Sequence, residues 1–135
     1  MPQKFLYPIT FLPCEDLTQI RSFYEGILQL PVVLEQKKCL IIQIGNESNF
    51  AYWGFCSHYD RLLNPPEKVC LTLVVSTRDE VDKWHQYLMD YHVVCNKEPK
   101  YNPEFRIYNA FYRDPMDYTI EIQSFDRDAR PEGTP

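Results

Sequence analysis

The stretch Phe105–Phe125, FRIYNAFYRDPMDYTIEIQSF, decides how this chain is read. It holds two runs rich in aromatic and β-branched residues on either side of Arg-Asp-Pro-Met-Asp-Tyr, the pattern of a β-hairpin. Pro115 has the fixed φ that suits the first corner of a type I turn, and the Asp114 side chain can cap that turn. Side chains alternate along a strand, so Tyr118, Ile120 and Ile122 fall on one face and Thr119, Glu121 and Gln123 on the other. A carboxylate is thus set mid-strand on the polar face. On a solvated outer face such a glutamate is ordinary; inside a concave sheet it is a contact for a ligand.

The chain has 135 residues, 44% apolar and 24% charged, which is the composition of a folded domain large enough to bury a core. Aromatic residues are in surplus at 15%, as a thick core or an aromatic-lined cavity would require. A formal charge of −5 argues against nucleic acid as a partner and is compatible with a neutral or cationic ligand. Five cysteines are scattered singly, at 14, 39, 56, 70 and 95, without the spacing of a zinc knuckle or a disulfide framework. They read as reduced, mostly buried thiols. With no apolar run long enough for a leader or a membrane span, a cytoplasmic protein is expected.

Working back from the hairpin, residues 5–12 read as a strand bent or placed at an edge by Pro8. Asp16 reads as the N-cap of a helix over 17–28 with Gln19 as its partner, and Ile20, Phe23, Ile27 and Leu28 form the apolar stripe. Strands are expected over Val32–Glu35, Cys39–Ile44 and Phe50–Phe55. After a Pro-rich linker over 57–66 come a strand at Val69–Val75, a helix at Asp79–Tyr91, a strand at Val93–Asn96 and the hairpin. The order of the first half is thus repeated. A shift of 61 positions superposes Thr10, Leu12, Ile20, Phe23, Ile27, Val32 and Val33 on Leu71, Leu73, Val81, Trp84, Leu88, Val93 and Val94. The caps follow, with Asp16 falling on Thr77, whose Glu80 completes a capping box. The expectation is an α+β fold of two βαβββ modules forming a cup-shaped, curved mixed sheet. Module one covers about 5–56, module two about 67–125, and a tail follows over 126–135. Because Ile120 and Ile122 meet the helix, Glu121 points into the hollow.

Asp16-Leu17 followed by Ser22-Phe23-Tyr24 and Leu28-Gln29-Leu30-Pro31 resembles the first-helix pattern of the vicinal oxygen chelate superfamily, which includes glyoxalase I, extradiol dioxygenases, fosfomycin-modifying enzymes and bleomycin-resistance proteins. Phe111-Tyr112-Arg113-Asp114-Pro115-Met116-Asp117-Tyr118-Thr119-Ile120-Glu121-Ile122 is similar to its closing signature. Gln29 and Asp117 stand where that superfamily usually has glycine in a left-handed conformation. The resemblance implies a homodimer. In the catalytic branches it implies a divalent ion held by a histidine in the first strand of each half and a carboxylate in a last strand. Those histidine positions are Ile9 and Cys70 in this chain, and the first-half counterpart of Glu121 is expected at Tyr52 or Trp53.

With His58 in the linker, His85 in a helix and His92 at its end, neither a metal site nor a cofactor is expected. The candidate lining is Ile9, Phe11, Tyr52, Trp53, Cys70, Thr72 and Glu121, with Val74, Thr119 and Gln123 beside them. The other hairpin strand is open to two assignments. Either Tyr108, Ala110 and Tyr112 face the hollow, or Ile107, Asn109 and Phe111 do. The function expected is a metal-free binding protein of the glyoxalase/bleomycin-resistance type, holding a flat or cationic organic molecule in an aromatic, mildly acidic pocket. The alternatives are an enzyme of the same fold that uses Glu121 as base or as an unconventional metal ligand, and an interaction module with a filled cavity.

Overall fold

The computed structural model describes residues 2, 4, 6–57, 69–131 and 133–135. Most of the expected linker, and His58 with it, lies outside the described residues. The chain divides into two compact units, Met1–Asn64 and Pro65–Pro135. Each is a βαβββ module, and the fold class is α+β.

In the first module β1 (Ile9–Pro13) leads into α1 (Leu17–Arg21), which runs on as a π-helical segment (Ser22–Ile27), followed by β2 (Val32–Gln36), β3 (Cys39–Gly45) and β4 (Phe50–Cys56). The sheet order is β1-β4-β3-β2, with β1 parallel to β4 and the other pairs antiparallel. The second module repeats this with β5 (Cys70–Val74), α2 (Arg78–Asp90), β6 (Val94–Asn102), β7 (Ile107–Arg113) and β8 (Thr119–Phe125), in the order β5-β8-β7-β6. The strands β1 and β5, and the helices α1 and α2, start at the same displacement that superposes the two halves of the sequence.

Local chemistry explains these starts. The Asp16 carboxylate accepts from the amides of Thr18 (2.9 Å) and Gln19 (3.3 Å), satisfying donors that a helix start leaves without a partner. Thr77 does the same for Glu80 at 3.2 Å. The expected capping box is only half formed, because the Glu80 carboxylate turns outward to Lys83 at 3.0 Å. Gln29 and Asp117 take positive φ, 59° and 66°, at the two positions where the resemblance called for a left-handed residue. In the hairpin, Asp114 Oδ1 accepts from the amides of Met116 and Tyr118, both at 2.8 Å, and the Asp114 carbonyl accepts from the Asp117 amide.

In each module the helix covers one face of the sheet. Tyr24 is fully buried and stacks on Phe55, 4.6 Å between ring centroids, and meets Trp53 edge-on. Tyr24, four residues on from Ile20, lies on the same helix face, and the π-helical segment widens the turn that follows, with the Leu28 amide bonding back five residues to Phe23. Ile27, expected in the stripe, is only half-buried. In the second module Val81 and Leu88 from α2 are buried together with Ala110, Tyr112, Ile120 and Ile122. Beyond β8, Asp126 accepts from Tyr101 Oη (2.7 Å) and Arg78 (3.2 Å), fastening the strand end to β6 and to the start of α2. The cysteines correct the expectation of reduced thiols. Cys39 and Cys56 face each other across β3 and β4, with Cα atoms 4.2 Å apart, and are joined as a disulfide. Their spacing in sequence hides a pairing that antiparallel register creates.

Candidate functional site

The face of the second sheet turned away from α2 carries the polar chemistry. Thr72 on β5 pairs with Glu121 on β8, Glu121 with Phe111 on β7, and Phe111 with Lys97 on β6. Directly paired residues share a face, so these four side chains form a row across the whole sheet. Cys70 and Asn109 flank the row on the same face, each two residues along a strand from one of its members.

Hydrogen bonds tie the row together. Glu121 Oε1 accepts from Thr72 Oγ1 at 2.7 Å, and Oε2 accepts from Asn109 Nδ2 at 2.7 Å. Lys97 Nζ donates to Asn109 Oδ1 at 2.7 Å and to the Asn109 carbonyl at 2.8 Å. The Asn109 amide can satisfy both neighbours only in this orientation, since a flip would set donor against ammonium and oxygen against carboxylate. Lys97 Nζ also lies 5.5 Å from the centre of the Phe111 ring. Partial burial holds the Lys97 amine below its ordinary pKa, and the nearby Glu121 charge pulls it back up. The Cys70 thiol, 4.0 Å from Glu121 Oε1, is pushed up by burial and then by that same charge, so it stays protonated and is a poor nucleophile.

Several expected lining residues lie elsewhere. The structure selects the second assignment of the hairpin strand, with Asn109 and Phe111 on the Glu121 face. Tyr112 and Tyr108 point the other way and bond to α2, Tyr112 Oη to His85 Nδ1 at 2.8 Å and Tyr108 Oη to Asp82 at 2.7 Å. Burial raises the Tyr112 phenol far above its usual pKa. Trp53 likewise lies on the helix side, against Tyr24. The first-half counterpart of Glu121 is neither Tyr52 nor Trp53 but Gly54, because Phe11 pairs with Gly54 as Thr72 pairs with Glu121. A Cβ built at Gly54 would run into ring atoms Cδ1 and Cε1 of Phe11. Tyr52 and Ile9 do share the open face of the first sheet, packed on Cys39, Ile41 and Cys56. Tyr7 and Phe50 extend that cluster, their ring centroids 5.2 and 5.4 Å from that of Tyr52.

Lys97 was not among the expected site residues, and Asn109 entered only through one of the two open assignments of its strand. Lys97 falls beyond the expected end of its strand. Asn109 was legible through register, because a tight turn at Asp114–Asp117 sets Glu121 opposite Phe111 and so puts Asn109 on the acid's face.

The donors do not suit a hard divalent ion, which takes about six oxygen ligands. Glu121 is engaged by three neutral donors, one of them the protonated thiol of Cys70, and in the first module the position that the resemblance gives to a histidine is Ile9, which has no donor atom. Among the described residues no three His, Cys, Asp or Glu side chains come together as a metal-binding group. His85 is bonded to Tyr112 and His92 is exposed at the end of α2.

Comparison with solved structures gives the class to which this architecture corresponds. A glyoxalase/bleomycin resistance protein/dioxygenase from Nocardioides is similar over 100% of this chain and 93% of its own, with a TM-score of 0.75 at 12% identity. The genomically encoded fosfomycin resistance protein FosX from Listeria monocytogenes aligns over 97% of this chain and 100% of its own, with a TM-score of 0.72 at 13% identity. A lactoylglutathione lyase from Agrobacterium tumefaciens aligns over 92% and 96%, with a TM-score of 0.71 at 16% identity. No family model matches the chain, and no curated protein does. The chain therefore has the vicinal oxygen chelate fold. At these identities the likeness establishes architecture, and activity has to be argued from the site.

Proposed function

We propose that this protein binds a small organic molecule, without a metal ion, on the open face of its second module, with Glu121 as the central hydrogen-bond acceptor. One observation carries this reading. A mid-strand carboxylate on the face away from the helix is held by three neutral donors, Thr72, Asn109 and the weaker thiol of Cys70, which orient its oxygens and leave a lone pair on Oε2 for a further partner. A carboxylate recruited only for stability gains most from a directly bonded cation or from several backbone amides. The open face of the first module, taken by itself, is apolar through Ile9, Phe11 and Tyr52. The homodimer implied by the resemblance is kept in this proposal.

The test is a fragment screen by thermal shift on the protein and on Glu121→Gln, together with metal analysis of the purified protein. A fragment at about 100 times its Kd adds about 2.7 kcal/mol of stability. The expected result is that hits disappear in Glu121→Gln while the melting of the free variant changes by less than about 1 kcal/mol, the worth of an ordinary hydrogen bond. A stoichiometric divalent ion, or hits indifferent to the substitution, would overturn the proposal.

A further inference from the structure

The row that contains Glu121 ends at a cation. Two single-residue register shifts in the β6–β7 pairing fall immediately before and after Lys97, between Cys95 and Lys97 and between Lys97 and Lys100. Bulges of this kind re-aim a side chain, and here they bracket a lysine whose ammonium reaches the network. That ammonium is half-buried and gives two of its three donors to Asn109, keeping one N–H in hand. Glu121 likewise retains acceptor capacity. Between them stands Phe111, the register partner of both, so that the two charged residues are set about 10 Å apart at the backbone, two strand spacings, with an aromatic ring in the middle. Half-burying an ammonium to brace an asparagine is a costly structural device, because a buried cation gives up its hydration. It is well suited to meeting an anion, since a charge-assisted bond strengthens where water is partly excluded.

We infer that Lys97 is the second pole of the site, and that the molecule bound there carries an anionic oxygen group for Lys97 and an N–H donor for Glu121, joined by a flat apolar body lying on Phe111. This rests on the function proposed above and narrows it from any small organic molecule to a dipolar one. Asn109, bonded to both poles, sets their separation.

Three probes sharing one ring separate the possibilities: benzylamine with only the donor, benzoate with only the anion, and para-aminomethylbenzoate with both. Affinities are measured by protein-observed NMR titration on the full chain. The dipolar probe is expected to bind at least about tenfold more tightly than benzylamine, the worth of one charge-assisted hydrogen bond. Lys97→Met should bring the affinities of benzylamine and the dipolar probe together, while Lys97→Arg should restore most of the difference. Thermal melts of both variants check that the fold survives. If benzylamine binds in a Glu121-dependent manner but the added carboxylate brings nothing, or brings a gain that survives Lys97→Met, the dipolar assignment is wrong and the Glu121 site stands. If binding of neither amine probe responds to Glu121→Gln, or neither binds, both are wrong.

Discussion

The two modules share one backbone plan and carry opposite chemistry on their open faces. Where the second module has Thr72, Glu121, Phe111 and Lys97 in a row, the first has Phe11, Gly54, Ile41 and Leu34 at the matching register positions. Where Asn109 bridges the charges, the first has Cys39, tied to Cys56. The helix-facing sides differ far less. Leu40, Ile42, Trp53 and Phe55 in one module do the work of Ala110, Tyr112, Ile120 and Ile122 in the other, and all are buried. The lesson is physical. A module too small to stand without its helix contact must keep that face apolar, whereas the opposite face is free to take up any chemistry that its sheet can support.

The largest effect that can probe this comparison comes from the helix side. Tyr24→Ala should cost about 3–5 kcal/mol in denaturant unfolding, as loss of a fully buried aromatic does. A much smaller loss would mean that the first module is not held by its helix contact. Next comes the disulfide, which closes a loop with a sequence separation of 17 and should contribute about 3 kcal/mol if chain entropy governs it. Unfolding with and without reductant measures this, and an unchanged midpoint would show that the apolar packing of the first module's open face suffices alone. Gly54→Ala should cost about 1–3 kcal/mol through overpacking against Phe11, and Phe11→Leu in the same chain should relieve much of it. A neutral Gly54→Ala would show that Phe11 is loosely seated and the face adaptable.

The smallest effect is a pH dependence confined to the second module. The Asp126 carboxyl is held below its ordinary value of 3.8, first by the hydrogen bond from Tyr101 and then by Arg78. A depressed carboxylate stabilises the fold above its unfolded-state pKa, and the contribution is lost as pH falls through the lower folded value. Asp126→Asn should therefore melt slightly lower than the parent at neutral pH. That gap should close as pH drops below about 4. A gap that persists into acid would assign Asp126 a role independent of its charge.

Much of this architecture is written in local chemistry. Asp16, Thr77 and the Asp114 turn announce their helices and hairpin, and the repeat follows from apolar spacing alone. Glu121 could be placed opposite the helix because Ile120 and Ile122 alternate with it. Features set by register or by a break in periodicity were harder to see. Ile27 is only half-buried because the helix widens into a π-helical turn, which a regular stripe of Ile20, Phe23 and Ile27 conceals. Cys39 and Cys56 meet only through pairing. Tyr108 and Tyr112 offered aromatic character on either face, so alternation alone left their direction undecided. Lys97 lies in a strand that continues past Pro99 to Asn102, which an edge position tolerates and a sequence reading takes for an end.

The Phe11 ring lying over Gly54 also makes the difference between the modules hard to reverse. An acid arriving at Gly54 meets the Phe11 ring, so that ring has to swing aside or give way to a smaller residue. A second acid therefore cannot be set at the matching position of the first module by substitution at Gly54 without moving Phe11.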